Sequence, residues 1–160
     1  MTTAQTMDMR GDGETAGLGH QFLTFILAGE EYGVDILCVQ EIRGWEKPTK
    51  IPNTPLYVRG VINIRGTIVP IIDLRERFGL DLVEYGRTTV VIVLRIDRED
   101  GVRTMGVVVD AVSEVYTIPE DAVKPPPDFG EEVDSRFARG LATVDEKMII
   151  LLDIARLLST

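Results

Sequence analysis

The chain has 160 residues, enough for one ordinary domain or two small barrels in contact, and a protein of this size buries roughly 70% of its unfolded surface. Its formal charge is −9, from 17 basic and 26 acidic residues, which argues against sequence-independent binding to nucleic acid, where clustered cations are needed. One cysteine, Cys38, forms no internal disulfide, one histidine, His20, assembles no multi-histidine metal site, and no apolar run approaches the ~20 residues that span a bilayer.

Hydrophobic content of 44% with only 6% aromatic residues, in short Val- and Ile-rich runs broken by Gly, Pro and Asp, predicts a mostly β protein. Met1 to Gly19 is polar, carries four glycines and shows no hydrophobic period, so residues 1–19 are expected to form a disordered arm. That arm lacks the basic and apolar pattern of a signal segment, and the expected protein is soluble and cytoplasmic, without direct membrane insertion. Its Gly11-Asp12-Gly13 follows no strand and precedes no Gly-Lys pair, so it makes no phosphate loop.

Order is predicted to begin near Gln21. Phe22 to Leu27 and Tyr32 to Ile36 form a hairpin turned at Ala28-Gly29-Glu30-Glu31. Val39, Ile42 and Trp45 recur at helical spacing over a short segment, and Pro48, Pro52 and Pro55 mark a loop. Val61 to Ile64 and Thr67 to Leu74 form a second hairpin about Arg65-Gly66, with Pro70 pointing to an edge strand or a bulge. A short helix follows from Leu74, stopped by Gly79.

Thr88 to Ile96 is a nearly unbroken apolar strand, Asp97 to Gly101 a charged loop, and Val102 to Val109 the return strand. Lys124-Pro125-Pro126-Pro127 is a stiff connector, Gly140 to Leu152 a third hairpin, and Asp153 caps a closing helix.

Two stretches eighty residues apart repeat each other. Arg59 to Leu74 aligns without a gap on Arg139 to Ile154, and Gly33 to Ile42 aligns on Gly106 to Val115, in the same order. The halves differ most at one turn, Arg65-Gly66-Thr67 against Asp145-Glu146-Lys147. Packing two small antiparallel barrels side by side removes exposed edges economically, so the fold is expected to be all-β.

Catalytic chemistry is hard to build from this composition. A serine triad would have only Ser113, Ser135 and Ser159 and a histidine on the arm, and no nucleotide, kinase or metal-ligand motif is present. Asp73 and Asp153 occupy equivalent helix starts, where capping explains them. No enzyme activity, cofactor or metal is expected. The segment from Arg43 to Arg77 holds seven basic residues against three acidic ones, either a solvated face or a basic patch for an acidic protein partner. Arg65 sits on a turn braced by two strands, where its guanidinium can hold a carboxylate or amide with two donors.

Glu30 to Ile36, Val39 to Gly44 and above all Arg59 to Arg75 resemble the CheW family of chemotaxis coupling proteins, with the likeness running from about Gln21 to Leu158. The resemblance implies two SH3-like five-stranded β-barrel subdomains with short helices in residues 20–160, in approximate halves 20–86 and 87–160. It also implies a non-catalytic adaptor joining the cytoplasmic tip of methyl-accepting chemoreceptors to the regulatory domain of a CheA-type histidine kinase, in membrane-associated arrays. The resemblance places receptor contact on Val39, Glu41, Gly60, Arg65 and Gly66, on and beside the groove between barrels. Val90, Gly106 and Val115 match positions tied to coupling or to the structure beneath it. The kinase is expected to meet a barrel end, and the Asp97–Thr104 loop is longer than in compact relatives.

Overall fold

The computed structural model describes residues 19–81, 83–99, 101–125 and 137–157. In chain order the strands are β1 (His20–Leu27), β2 (Glu30–Asp35), β3 (Val39–Gly44), β4 (Val58–Ile64), β5 (Thr67–Asp73), β6 (Val90–Arg98), β7 (Gly101–Val109), β8 (Ala111–Ile118), β9 (Ala138–Val144) and β10 (Lys147–Leu152). Two one-turn helices, α1 (Leu74–Arg77) and α2 (Ile154–Leu157), follow β5 and β10. Apart from Gly19, the expected N-terminal arm lies outside the described residues.

The strands form two five-stranded sheets, β8-β1-β2-β10-β9 and β3-β6-β7-β5-β4. Each sheet curls until the chain just beyond one outer strand reaches the other outer strand. In the second, Thr49 and Val61 exchange both backbone hydrogen bonds at 2.9 Å, and in the first Lys124 and Leu141 do so at 2.8 Å. Closure demands close backbone approach. A Cβ on Gly60 would stand 2.3 Å from the Thr49 carbonyl oxygen, and one on Gly140 would stand 2.7 Å from that of Lys124. The result is an all-β pair of SH3-like barrels lying side by side.

Alternation along the strands explains why the apolar runs are unbroken. Val91 and Val93 enter the second barrel's own core with Ile62, Val69 and Ile71, while Ile92 and Leu94 point the other way into a core shared by both barrels. On β1, Phe22 fills the first barrel while Leu23 and Phe25 join the shared core. Strands buried on both faces lose the polar alternation of a half-exposed sheet. Among the described residues the shared core holds fifteen buried residues, eight from the first barrel and seven from the second, against five and seven in the barrels' own cores, so at least half of each barrel's buried apolar set faces the other barrel.

Polar latches reinforce that interface. Arg75 of α1 grips Asp110 with Nε at 2.9 Å and Nη2 at 2.6 Å, and Asp110 also accepts the backbone N–H of Ala28 in the β1–β2 turn. The Arg77 guanidinium lies between the Tyr57 ring at 4.7 Å and the Phe137 ring at 4.5 Å, crossing from α1 to the entrance of β9.

The sequence repeat is structural, but its halves are not the barrels. Gly33 of β2 faces Leu151 of β10 as Gly106 of β7 faces Ile71 of β5, and all four positions obey the sequence alignment. Asp73 N–H donates to the Tyr57 carbonyl at 2.8 Å as Asp153 N–H donates to that of Phe137 at 2.7 Å. The first hairpin of each half pairs with the last three strands of the other half. The division at residues 86 and 87 therefore describes the repeat, whereas the second barrel is built from residues 39–109 and the first from the segments on either side. This exchange creates parallel β2–β10 and β5–β7 pairs where only antiparallel strands were expected.

Three local expectations need correction. The helical spacing of Val39, Ile42 and Trp45 is that of strand β3 and the residue after it, and the pairing of β3 with β6 shifts register between Val39 and Glu41 and so resets the alternation. Pro70 lies in an interior strand, at the residue before parallel pairing with β7 begins at Ile71. The charged loop from Asp97 is mostly ladder, with Asp97 opposite Val102 and Arg98 opposite Gly101. The capped helices stand as expected: Asp73 accepts from the N–H of Arg75 and Glu76, and Asp153 from that of Arg156.

Candidate protein-binding surface

The turn between β4 and β5 is two residues long, with Arg65 at φ 50° and Gly66 at φ 89°. Positive φ at both positions suits the right-handed twist of a hairpin. Asn63 fixes the turn by accepting the Gly66 N–H at 2.8 Å on its Oδ1. The turn carries Arg65 to β3 across the barrel seam, where its Nη2 donates to Glu41 Oε1. Glu41 Oε2 accepts from Arg43 at 2.9 Å, and Arg43 donates onward to Glu46 at 2.9 Å. Hydrogen bonds from Arg65 and then Arg43 hold the Glu41 carboxyl below its ordinary pKa. Arg65 remains 69% exposed, so its unshared guanidinium donors face solvent.

Two apolar side chains border this ion-pair chain. Ile42 stands opposite Ile92, and Ile68 precedes Pro70 and Ile72 on one row of β5; Ile92 and Ile72 belong to the shared core. Ile42 and Ile68, both exposed, therefore carry the inter-barrel face out to its rim. The repeat supplies a second rim, with Val115 opposite Leu23 on β8 and Met148 aligned on Ile68.

Of the sequence-derived site residues, Glu41, Arg65 and Gly66 converge. Val39 is half-buried against the shared core, and Gly60 is buried under Thr49, where lack of a side chain closes the barrel. Val90 packs on the shared core, and a Cβ on Gly106 would lie 2.7 Å from Ile71 Cδ1, which gives both a supporting place. Val115 lies on the other barrel.

Several features escaped sequence reading. Ile42 falls in a spacing read as helical and Ile68 in a hairpin strand, and only the β3 bulge and the hairpin register reveal their exposure. Leu37, 85% exposed in the 3-10 turn at Ile36–Cys38, lies between two core strands without a distinguishing signal. Trp45 and Tyr85, ring centroids 4.1 Å apart, join Arg59, Val83 and Glu84 around an open cleft of about 490 Å3, with Tyr85 Oη donating to Asp73 at 2.5 Å.

The basic segment is not an open cationic patch. Arg43, Arg59, Arg65 and Arg75 pair with carboxylates and Arg77 lies on aromatic rings, so its arginines are largely committed within the molecule. Cys38 matches a packing role, its thiol pKa raised by burial and then by Asp35.

The fold is that of a double-barrel, strand-exchanged all-β class with a braced Arg-Gly turn, and the family model described as CheW-like domain matches residues 21–160. The chain belongs to this CheW family. It is 48% identical over 148 residues to the chemotaxis protein CheW of Klebsiella aerogenes, covering 92% of this chain and 86% of that one. It is 36% identical over 139 residues to the probable chemotaxis protein CheW of Rhizobium etli, covering 87% of each. The crystal structure of the scaffolding protein TtCheW from Thermoanaerobacter tengcongensis superposes with a TM-score of 0.76 at 38% identity, over 85% of this chain and 90% of that chain. Among the described residues, no helix is long and apolar enough to cross a membrane.

Proposed function

We propose that this chain is a non-catalytic chemotaxis adaptor that couples the cytoplasmic tip of methyl-accepting chemoreceptors to the regulatory domain of a CheA-type histidine kinase. The observation that carries the reading is the Arg65-Gly66 turn, braced by Asn63 and Glu41 and flanked by the exposed Ile42 and Ile68. A receptor helix would lay an apolar stripe along Ile42 and Ile68 while Arg65 sets its register, the helix-in-groove mode. Val39 and Gly60 support this surface from beneath, and Val90, Gly106 and Val115 hold or extend the barrels that present it. The kinase domain meets a separate barrel end, and repeated copies in a receptor array raise the effective concentration of each weak contact.

The test is a three-way binding experiment with a receptor cytoplasmic fragment and a CheA-type kinase, followed by kinase autophosphorylation with and without this protein. Binding to both, with kinase activity that depends on receptor only when the chain is present, supports the reading. Folded Arg65→Ala should lose receptor binding about tenfold while retaining the kinase. Equal loss of both partners would overturn the division of surfaces, and binding to neither would overturn the function.

A further inference from the structure

The two barrels place opposite chemistry at equivalent positions. The repeat aligns Glu114 on Glu41, Tyr116 on Arg43, Asp145-Glu146 on Arg65-Gly66, and Glu31 on Thr104. In the second barrel, Arg65 and Arg43 satisfy Glu41. In the first, a tyrosine replaces one arginine and an acidic turn replaces the other. Tyr116 Oη donates to Glu114 Oε2 at 3.0 Å, and Glu114 is further fixed by backbone hydrogen bonds with the Thr24 hydroxyl at 3.1 Å. Glu31, opposite Ile149 on β10, is only 8% exposed, and its Oε2 is sealed from solvent without a hydrogen-bond partner.

One hydroxyl bonds to Glu114 and feels the charge of the other acids. The Tyr116 pKa is pushed up to about 12 by burial, then by its bond to Glu114, then by the charges of Glu114, Glu31 and Asp145. Among the described residues no basic side chain forms an ion pair with Glu31, Glu114 or Asp145. A buried carboxylate oxygen without a donor is costly, and native proteins rarely keep one without a use.

We propose that this end of the first barrel receives an arginine side chain from a protein partner, seated between Glu31 and Glu114 beside Tyr116. A guanidinium fits better than a metal ion. Among the described residues no three acidic, histidine or cysteine side chains are arranged to hold a metal, whereas a planar fork of five N–H groups reaches separated carboxylates. The same molecule already demonstrates the pairing, since Arg65 occupies the corresponding place against Glu41. The partner is thus a protein that projects an exposed arginine, and its anchor is distinct from the Arg65 turn.

The probe is N-acetylarginine amide titrated into the 15N-labelled full chain, with N-acetylglutamine amide as the neutral comparison. Saturable shifts in the millimolar range at Glu31, Glu114, Tyr116 and Asp145, absent with the neutral compound, are expected. Glu31→Gln and, separately, Glu114→Gln should each weaken this binding about tenfold, and the spectrum itself reports whether each variant is folded. Should Glu31→Gln unfold, the partly exposed Glu114 still gives the reading. No saturable shift at these residues, equal shifts with the neutral compound, or binding unchanged in a folded Gln variant would overturn the proposal.

Discussion

The Arg65-Gly66 and Asp145-Glu146 turns have the same backbone and opposite surfaces. Both take positive φ at two successive residues, 50° and 89° in one and 51° and 68° in the other. One uses glycine and closes an ion pair across its barrel; the other forces a glutamate into the left-handed region and leaves acids unneutralised. The strands, helix caps and closing bridges of the two barrels are held in common, whereas the side chains displayed at the turns differ. A duplicated scaffold can thus be kept intact while its two ends present different side-chain chemistry.

Closure of the barrels should be the most sensitive common element. Gly60→Ala places a Cβ against the Thr49 carbonyl at φ 141°, and should cost about 2–3 kcal/mol in urea unfolding. Gly140→Ala, without that positive φ, should cost less, and equal losses would show that conformational strain adds nothing to the clash.

The latch has no counterpart across the repeat, because Leu37 and Ala155 align on Asp110 and Arg75. Asp110→Ala should destabilise by about 1–2 kcal/mol, and a double-mutant cycle with Arg75→Ala should give a coupling above about 0.5 kcal/mol. Arg75 lowers the Asp110 pKa from 3.8 in the folded state. The stabilisation is therefore complete above pH 3.8 and is lost as pH falls through the lower folded value. Urea midpoints measured from pH 6 downward should converge for the native chain and Asp110→Asn below that value; a constant gap would rule out ionic linkage.

Replacing Asp145-Glu146 by Asn-Gly should stabilise the first barrel by about 0.5–1 kcal/mol, because glycine takes the second left-handed position without strain. Thermal unfolding would register this as a small rise in Tm. The smallest change is expected for Arg65→Ala, whose urea midpoint should hardly move because the ion pair is solvent-exposed. A large loss there would make Arg65 a structural brace and weaken its assignment to partner contact.

Much of this architecture was legible in the chain. The gapless match of Arg59–Leu74 to Arg139–Ile154 marked a structural repeat, Asp73 and Asp153 marked helix starts, and Arg65-Gly66 marked a tight turn. Strand exchange was not legible, because local periodicity fixes which residues lie in a strand but not which hairpin a strand joins. The β3 bulge disguised a strand as a helical spacing. At the site, Arg65 and Glu41 were legible as types and positions. Their pairing depended on curling of the sheet, which brings β3 and the β4–β5 turn together across 24 residues.

Strand exchange also orders assembly in time. Residues 39–109 supply every strand of the second barrel, so that sheet is complete in sequence once β7 has left the ribosome. The β1–β2 hairpin must wait for β10, whose Ile149 meets Glu31 across 118 positions of chain. During that interval Leu23, Phe25 and Val34 have the face of the second barrel to shelter against before their own barrel can close. The inner barrel thus serves as a template for the outer one, and synthesis arrested between β7 and β9 should yield a nascent chain in which protease protection covers residues 39–109 first.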